Sequence, residues 1–313
     1  MEDIAFVFPG QGSQYVGMGK KLLENFSFAN ALIKEAQEAA NIPIKKLCLE
    51  GPMDELTKTI NLQPCIAAID ILCAKILFSE GIKPSAVAGH SLGEYPALWA
   101  CDCLDLTSCM SLVKERGRIM EKVANKRPGA MAAIIGLERK VLEELIKDIS
   151  EQTNGILALA NHNSKEQIVA TGEKHLIEKL CKKVKEKGKR AVPLKVSGAY
   201  HSPLMNDAAK EFSEVLEKAR FNPPKLAIYS NVTAMPETDP HKIKQLMADQ
   251  ICSPVRWYEI VNNMYKDGIR IFIEVGPKKV LSNLIKKSLD SSDFKVLNFE
   301  TPDDLLIIKK ELS

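Results

Sequence analysis

The stretch "GAMAAIIGLERKVLEELIKDISEQTNGILALANHNSKEQIVATGEKHLIEKLCKKVKEKGKRAVPLKV", residues 129–196, decides the architecture. "AMAAIIGL" is a short apolar run of strand character. "ERKVLEELIKDI" then spaces its apolar residues at three and four, as one face of a helix does. "ILALAN" and "EQIVATG" read as two strands, "EKHLIEKLCKKVKEKG" as a second helix and "RAVPLKV" as a last strand. The order is βαββαβ, that of a ferredoxin-like unit. It lies in the middle of a chain whose flanks read differently.

On both sides strands alternate with helices, which argues for a parallel sheet with helices on its faces. "IAFVF" is a buried strand stopped by Pro9 and Gly10, and helices are expected at residues 28–40, 64–78 and 106–123. Pro64 suits the first position of its helix. Downstream come the strand "KLAIYSN", helices near 241–252 and 257–266, the strand "RIFIEV" and a last helix from Lys279. The expected fold class is therefore α/β. Residues 1–126 and 197–313 form a large parallel-sheet, α/β-hydrolase-like domain, and residues 127–196 an inserted ferredoxin-like (βαββαβ) subdomain. The cleft between them is where a substrate is expected.

The 313 residues, 45% apolar, suffice for a large domain carrying a smaller one. A net charge of +3 is too mild to make nucleic acid the main partner. The eight cysteines (Cys48, Cys65, Cys73, Cys101, Cys103, Cys109, Cys181 and Cys252) form no C-x-x-C and no zinc spacing. "MEDIAFVFPG" has too few apolar residues before Pro9 for a signal peptide, and no run reaches membrane-spanning length. A soluble, monomeric protein of the reducing cytoplasm is expected, with neither metal nor cofactor.

The chemistry centres on "SAVAGHSLGEYPALWA", residues 85–100. An apolar run ends at Gly89, and Ser91 stands between Gly89 and Gly93 ahead of a helix. In G-x-S-x-G a serine on a tight strand-to-helix turn exposes its Oγ, and the helix start aims backbone N–H groups at any oxyanion formed there. A glycine-rich turn with an incidental serine is the plainer reading of the pentapeptide.

A serine nucleophile needs a base, and the chain has five histidines. His90 adjoins Ser91 on the turn, so its side chain should diverge. His175 and His241 begin charged helices, and His162 lies in a strand-end loop. His201, in "VSGAYHSPLM", falls where the insert returns to the large domain, at the cleft. Arg116 is the other candidate. Its neighbours at three and four, Leu112, Val113, Ile119 and Met120, are all apolar, whereas Arg118 has charged ones. A buried guanidinium needs an anion, either an internal carboxylate or that of a substrate. In "GQGSQYVGMG" the dinucleotide fingerprint fails, because Tyr15 stands where the third glycine belongs. A loop at the end of the first strand is instead placed to supply a second oxyanion donor.

"FPGQGSQ", "GHSLGE", the arginine of "LVKERG", "VSGAYHSPLM", "YSNVTA", the glutamine of "ADQICSPVRW" and "EVGPKKVL" together resemble, in order and spacing, the malonyl-CoA:acyl-carrier-protein transacylases. The resemblance covers essentially the whole chain. It implies that Ser91 is the nucleophile and His201 its base, and that Arg116 binds the malonyl carboxylate. It further implies that the N–H groups of Gln11 and Leu92 form the oxyanion hole, and that the main-chain carbonyl of Gln250 orients His201. Malonyl-CoA and holo acyl carrier protein would be the substrates, reacting through a malonyl-serine intermediate in ping-pong order to supply fatty acid elongation.

The chain departs from the family pattern at Pro96, expected to distort the turn locally, at Tyr200 in place of a phenylalanine, and at Lys278 where a small residue is commoner. The basic run 179–190 suits an acidic carrier protein or is a solvated helix face. A malonyltransferase of polyketide assembly shares the chemistry. A serine hydrolase would need an acid between Ser91 and a histidine nearer the chain end. A non-catalytic nucleotide-binding or docking module is disfavoured by the broken glycine pattern.

Overall fold

The computed structural model describes residues 3–196 and 198–312. Its strands are β1 (Asp3–Phe8), β2 (Ala86–Gly89), β3 (Ala130–Ile135), β4 (Leu157–Ser164), β5 (Gln167–Gly172), β6 (Arg190–Pro193), β7 (Ala227–Tyr229), β8 (Pro236–Glu237), β9 (Ile269–Val275) and β10 (Lys295–Phe299). They form a six-stranded sheet of order β10-β9-β1-β2-β7-β8 and a four-stranded sheet of order β4-β5-β3-β6. The larger sheet is parallel except for the β7–β8 pair.

β1 shows why this sheet is covered on both faces. Phe6 and Phe8 enter one core beside the Thr59–Ser79 helix. Ala5 and Val7, pointing the other way, enter a second core with Trp257, Ile260 and Phe272. Strict alternation of this kind, apolar on both sides, marks the interior strand of a two-faced sheet. Because β1, β2, β7, β9 and β10 run the same way, their carboxyl ends meet along one edge. That edge carries Gln11, Ser91, Asn231, Lys278 and Glu300.

The smaller sheet is antiparallel, and its strand and helix order is that read from the sequence. Ala132, Ile134, Ile168 and Ala170 pack under the Arg139–Thr153 and Lys174–Glu186 helices. Met131, Ala133 and Val169 face the opposite way and join the core of the large sheet. The sheet is docked through backbone as well: His162 N–H donates to Val255 O at 2.9 Å, and Val255 N–H to Ala160 O at 2.8 Å. A bridge between Pro128 and Gly198 ties entry to exit. Ser197, at one expected boundary, lies outside the described residues.

Three elements differ from expectation. The helix expected from Pro64 begins at Thr59, with Pro64 inside it. Burial of Leu62 and Gln63 outweighs the one hydrogen bond the proline denies Ile60. This helix is long and apolar enough to cross a membrane by length and composition, but 83% of its apolar window is buried in the protein. Pro96 is the third residue of the Glu94–Ala100 helix, which runs through it unbroken. An N–H in the first turn has no intrahelical partner, so its loss distorts nothing. Finally, the chain does not end on the helix Val280–Lys286 but adds β10 and the helix Pro302–Leu312.

Candidate active site

The turn that carries Ser91 is built by glycines that tolerate no side chain. A Cβ on Gly89 would lie 1.8 Å from the Gly93 carbonyl carbon, and one on Gly93 would lie 2.1 Å from Phe8 O. Glycine at 89 lets the turn fold back on the end of β2, and glycine at 93 lets it lie against the end of β1. Ser91 itself takes φ 53°, the left-handed region that a residue with a Cβ seldom adopts. Asn231, just past β7, holds it there. Its Oδ1 accepts from Ser91 N–H at 2.6 Å and its Nδ2 donates to Gly89 O at 2.6 Å.

His201 Nε2 lies 2.8 Å from Ser91 Oγ. Its Nδ1 lies 2.9 Å from the main-chain oxygen of Gln250. A carbonyl only accepts, so Nδ1 carries the proton and Nε2 is the free base that accepts from Ser91 O–H. His201 also has a positive φ, 59°. Its pKa is pushed down to about 3, first by burial and then by the Arg116 charge. The imidazole is therefore neutral at physiological pH, as a general base must be.

Arg116 comes from the Leu106–Lys126 helix and is 1% exposed. Among the described residues no carboxylate pairs with it directly. Nη1 donates to Gln63 Oε1 at 2.9 Å, and Nη2 to Gln250 Oε1 at 2.8 Å and to Ser91 Oγ at 3.1 Å. Its Nε is buried without a partner, and its charge lies 5.6 Å from the Tyr95 ring centroid. An internal salt bridge does not account for this burial. Two neutral amides and the Ser91 hydroxyl hold the fork, and two of its five N–H donors remain free.

Gln250 joins these groups. Its Nε2 donates to Ser91 O at 2.9 Å and to the carboxylate of Glu94. Glu94 also accepts from Asn231 N–H at 2.5 Å. Burial pushes the Glu94 pKa up to about 8, against the pull of those donors and of Arg116. Gln63, Asn231 and Glu94 are thus site residues that sequence reasoning did not single out.

Gln11 and Leu92 line the same pocket as Ser91, Arg116 and His201. The two loops touch: a Cβ on Gly10 would lie 2.5 Å from His90 O. The pocket holds about 110 Å³ and is closed by Met131, Asn161, Leu194 and Val196 of the insert, with Tyr200 beside them. Tyr200 shares a hydrogen bond with Thr59 at 3.0 Å. A cleft of about 470 Å³, with Asn163, Gln167 and Lys287 on its walls, shares Gln11, His90, Asn161 and Leu194 with that pocket. A groove of about 880 Å³ along the Lys174–Glu186 helix shares Met131, Leu194 and Val196 with it.

The other histidines fall elsewhere. His90 turns away to Asn163 at 2.9 Å, and burial lowers its pKa. His162 packs on Tyr258 and faces Glu259 at 3.2 Å. His175 and His241 are exposed.

Comparison with known proteins adds kinship to this geometry. Residues 5–301 match the acyl transferase domain family. A malonyl CoA-acyl carrier protein transacylase of Bacillus subtilis (strain 168) is 41% identical over 288 residues, 92% of this chain and 90% of the relative. A polyketide biosynthesis malonyl CoA-acyl carrier protein transacylase of the same strain is 40% identical over 287 residues, 91% of this chain and 96% of the relative. A malonyl-transacylase solved in complex with its type II PKS acyl-carrier protein superposes with a TM-score of 0.94 at 32% identity, covering 99% of both chains.

Proposed function

The chain belongs to the acyl transferase family, and from that premise we propose that it transfers a malonyl group from malonyl-CoA to the phosphopantetheine thiol of acyl carrier protein. The observation that carries the reading is the Ser91 Oγ to His201 Nε2 contact of 2.8 Å, with an Arg116 donor 3.1 Å from the same oxygen. In a malonyl thioester one methylene separates the carboxylate from the carbon under attack. A cation this near the nucleophile fits that spacing and would sit unpaired over an acetyl group.

The reaction runs in two halves. Ser91 Oγ passes its proton to His201 Nε2 and attacks the thioester carbon. The carbonyl oxygen becomes an oxyanion accepting from the N–H groups of Gln11 and Leu92. The Arg116 guanidinium, on the pocket wall beside Ser91 Oγ, takes the malonyl carboxylate. As the C–S bond breaks, His201 returns its proton to the CoA sulfur, leaving a malonyl ester on Ser91. The carrier thiol then gives its proton to His201 and attacks the ester. Collapse frees Ser91, which recovers the proton. Gln250 O keeps Nδ1 protonated throughout, doing for the histidine what an acidic third residue does elsewhere.

No metal or cofactor enters these steps, malonyl-CoA being a substrate. One chain supplies every group, so we take the active unit to be a monomer. Eight free thiols, seven of them buried, suit a reducing cytoplasm. The 41% identical malonyl CoA-acyl carrier protein transacylase supports fatty acid elongation as the destination of the malonyl group, with polyketide assembly as the second reading on the strength of the 40% identical relative and of the complex with a type II PKS carrier protein. The test is transfer from malonyl-CoA to holo acyl carrier proteins of each type. Parallel lines in double-reciprocal plots are expected, whereas release of free CoA and malonate without transfer would make the protein a hydrolase.

A further inference from the structure

The loop from Pro9 to Gly19 carries Gln11 and is pinned unevenly. Its near end is fixed by packing, since Gly10 lies against His90 O. Beyond it, Gly12 (φ 111°) and Gly17 (φ 103°) take left-handed conformations, and a Cβ on either would meet nothing within 4 Å. Ser13, itself buried, ties back to Gly10 O through Oγ at 2.9 Å, Gly12 N–H donates to Gln14 Oε1 at 2.8 Å and Gly17 N–H to Cys48 O at 2.6 Å. These bonds leave the Gly12 and Gln14 carbonyls still to be given a donor.

Lys278, in the turn after β9, supplies one. Its Nζ donates to Gly12 O at 3.1 Å and to Gln14 O at 3.0 Å. The ammonium is a compact charge with several donors on a flexible stem, suited to gathering two carbonyls. Lys278 is itself fixed on both sides. Its N–H donates to Glu300 Oε2 at 3.0 Å, and its carbonyl accepts from Asn298 Nδ2 at 2.7 Å. Glu300 closes the circuit by accepting from Tyr15 O–H at 2.5 Å, so the ends of β1, β9 and β10 are tied together. Lys278 holds this post at φ 64°, a conformation a glycine would occupy without strain.

We propose that Lys278 is a positioning residue for acyl transfer, its ammonium fixing the Gly12 and Gln14 carbonyls so that the preceding Gln11 N–H stays aimed at the oxyanion. The inference rests on the reading of Gln11 as an oxyanion donor. It accounts for a lysine at a backbone position that favours glycine: the strain is retained because the side chain does something glycine cannot.

The test is the rate of malonyl-enzyme formation, followed by rapid quench and intact mass, in the unaltered protein, Lys278→Gly and Lys278→Arg. Lys278→Gly removes the clamp and the backbone strain together. Its rate should fall about tenfold, short of the loss on deleting an oxyanion donor outright. KM for malonyl-CoA should stay within about twofold and the melting temperature should not drop, while Lys278→Arg, keeping a charged donor, recovers most of the rate. An undiminished rate in Lys278→Gly overturns the clamp alone. A loss that follows a fall in melting temperature and is not relieved by arginine makes Lys278 a scaffold residue and overturns it too. If the unaltered protein forms no malonyl adduct, the reading of Gln11 falls first and takes the clamp with it.

Discussion

The catalytic edge of the parallel sheet and the inserted antiparallel sheet obey different rules. Along the edge, Ser91, His201 and Lys278 all take left-handed backbone conformations, and Glu94, Arg116 and His201 are buried with their polar atoms. Within the insert, among the described residues, the only positive-φ position without glycine is Asn154, at a helix end that asparagine tolerates well. None of its buried polar residues is titratable. Its charges sit on solvated helix faces, and its core is aliphatic. Compared with the insert, strain and buried titratable groups gather at the edge that carries Ser91. The insert contributes a wall, closing the pocket with Met131, Asn161, Leu194 and Val196.

That contrast predicts a graded series of effects. Ser91→Ala should lower malonyl transfer by roughly 10⁴-fold or more, as loss of a nucleophile does; transfer near the unaltered level would relocate the chemistry. Arg116→Lys comes next. A point charge cannot keep the Gln63 and Gln250 contacts and also meet a carboxylate, so the malonyl-to-acetyl preference should fall about 10²-fold. An unchanged ratio in paired transfer assays would remove Arg116 from substrate recognition.

The third effect is in pH. The proposed base, His201, has to be neutral to act, and its pKa is lowered to about 3 by burial and Arg116. Malonyl-enzyme formation should therefore fall less than about threefold between pH 7.5 and 5.5, and a midpoint near the ordinary histidine value of about 6.5 would contradict the burial. The sign for stability is opposite in sense. The native state binds fewer protons than the unfolded chain, so His201 withdraws stability as pH drops below about 6.5, by up to ~1.4 kcal/mol per unit. Urea midpoints across that range, set beside those of a His201→Asn variant, would show the difference. The smallest effect belongs to the insert. Lys182 lines the groove beside the pocket, with Lys183 next to it. Lys182→Glu with Lys183→Glu should raise KM for carrier protein a few-fold while leaving malonyl-enzyme formation from malonyl-CoA unchanged; slower formation would show the insert to be part of the chemistry after all.

The same contrast governs what the sequence discloses. The insert was legible element by element, because alternation in its strands and three-four spacing in its helices follow from plain burial. Arg116 was legible for the related reason that four apolar neighbours mark a polar residue facing inward. Gln63 comes close to the same criterion, with Ile60, Ile66 and Ala67 apolar and only Thr59 polar at three and four, but an uncharged amide in an apolar helix draws no attention. Glu94 reads as an ordinary acid in a first helical turn, where the dipole alone would favour it. Its partners, Asn231 N–H and Gln250 Nε2, come from segments 137 and 156 residues away, beyond the reach of local pattern. The final helix was missed despite local signals: Thr301, Pro302, Asp303 and Asp304 form a sound helix start, and Asp304 accepts from Thr301 N–H at 2.7 Å.

The central claim is that Ser91 carries the malonyl group between the two halves of the reaction. The measurement that tests it most directly is intact-protein mass after brief mixing with malonyl-CoA in the absence of acceptor, with acetyl-CoA and Ser91→Ala run alongside. A single malonyl adduct is expected, weak or missing with acetyl-CoA, absent from Ser91→Ala and discharged by holo acyl carrier protein. An adduct that persists in Ser91→Ala, or free CoA released steadily with no adduct at all, would contradict it.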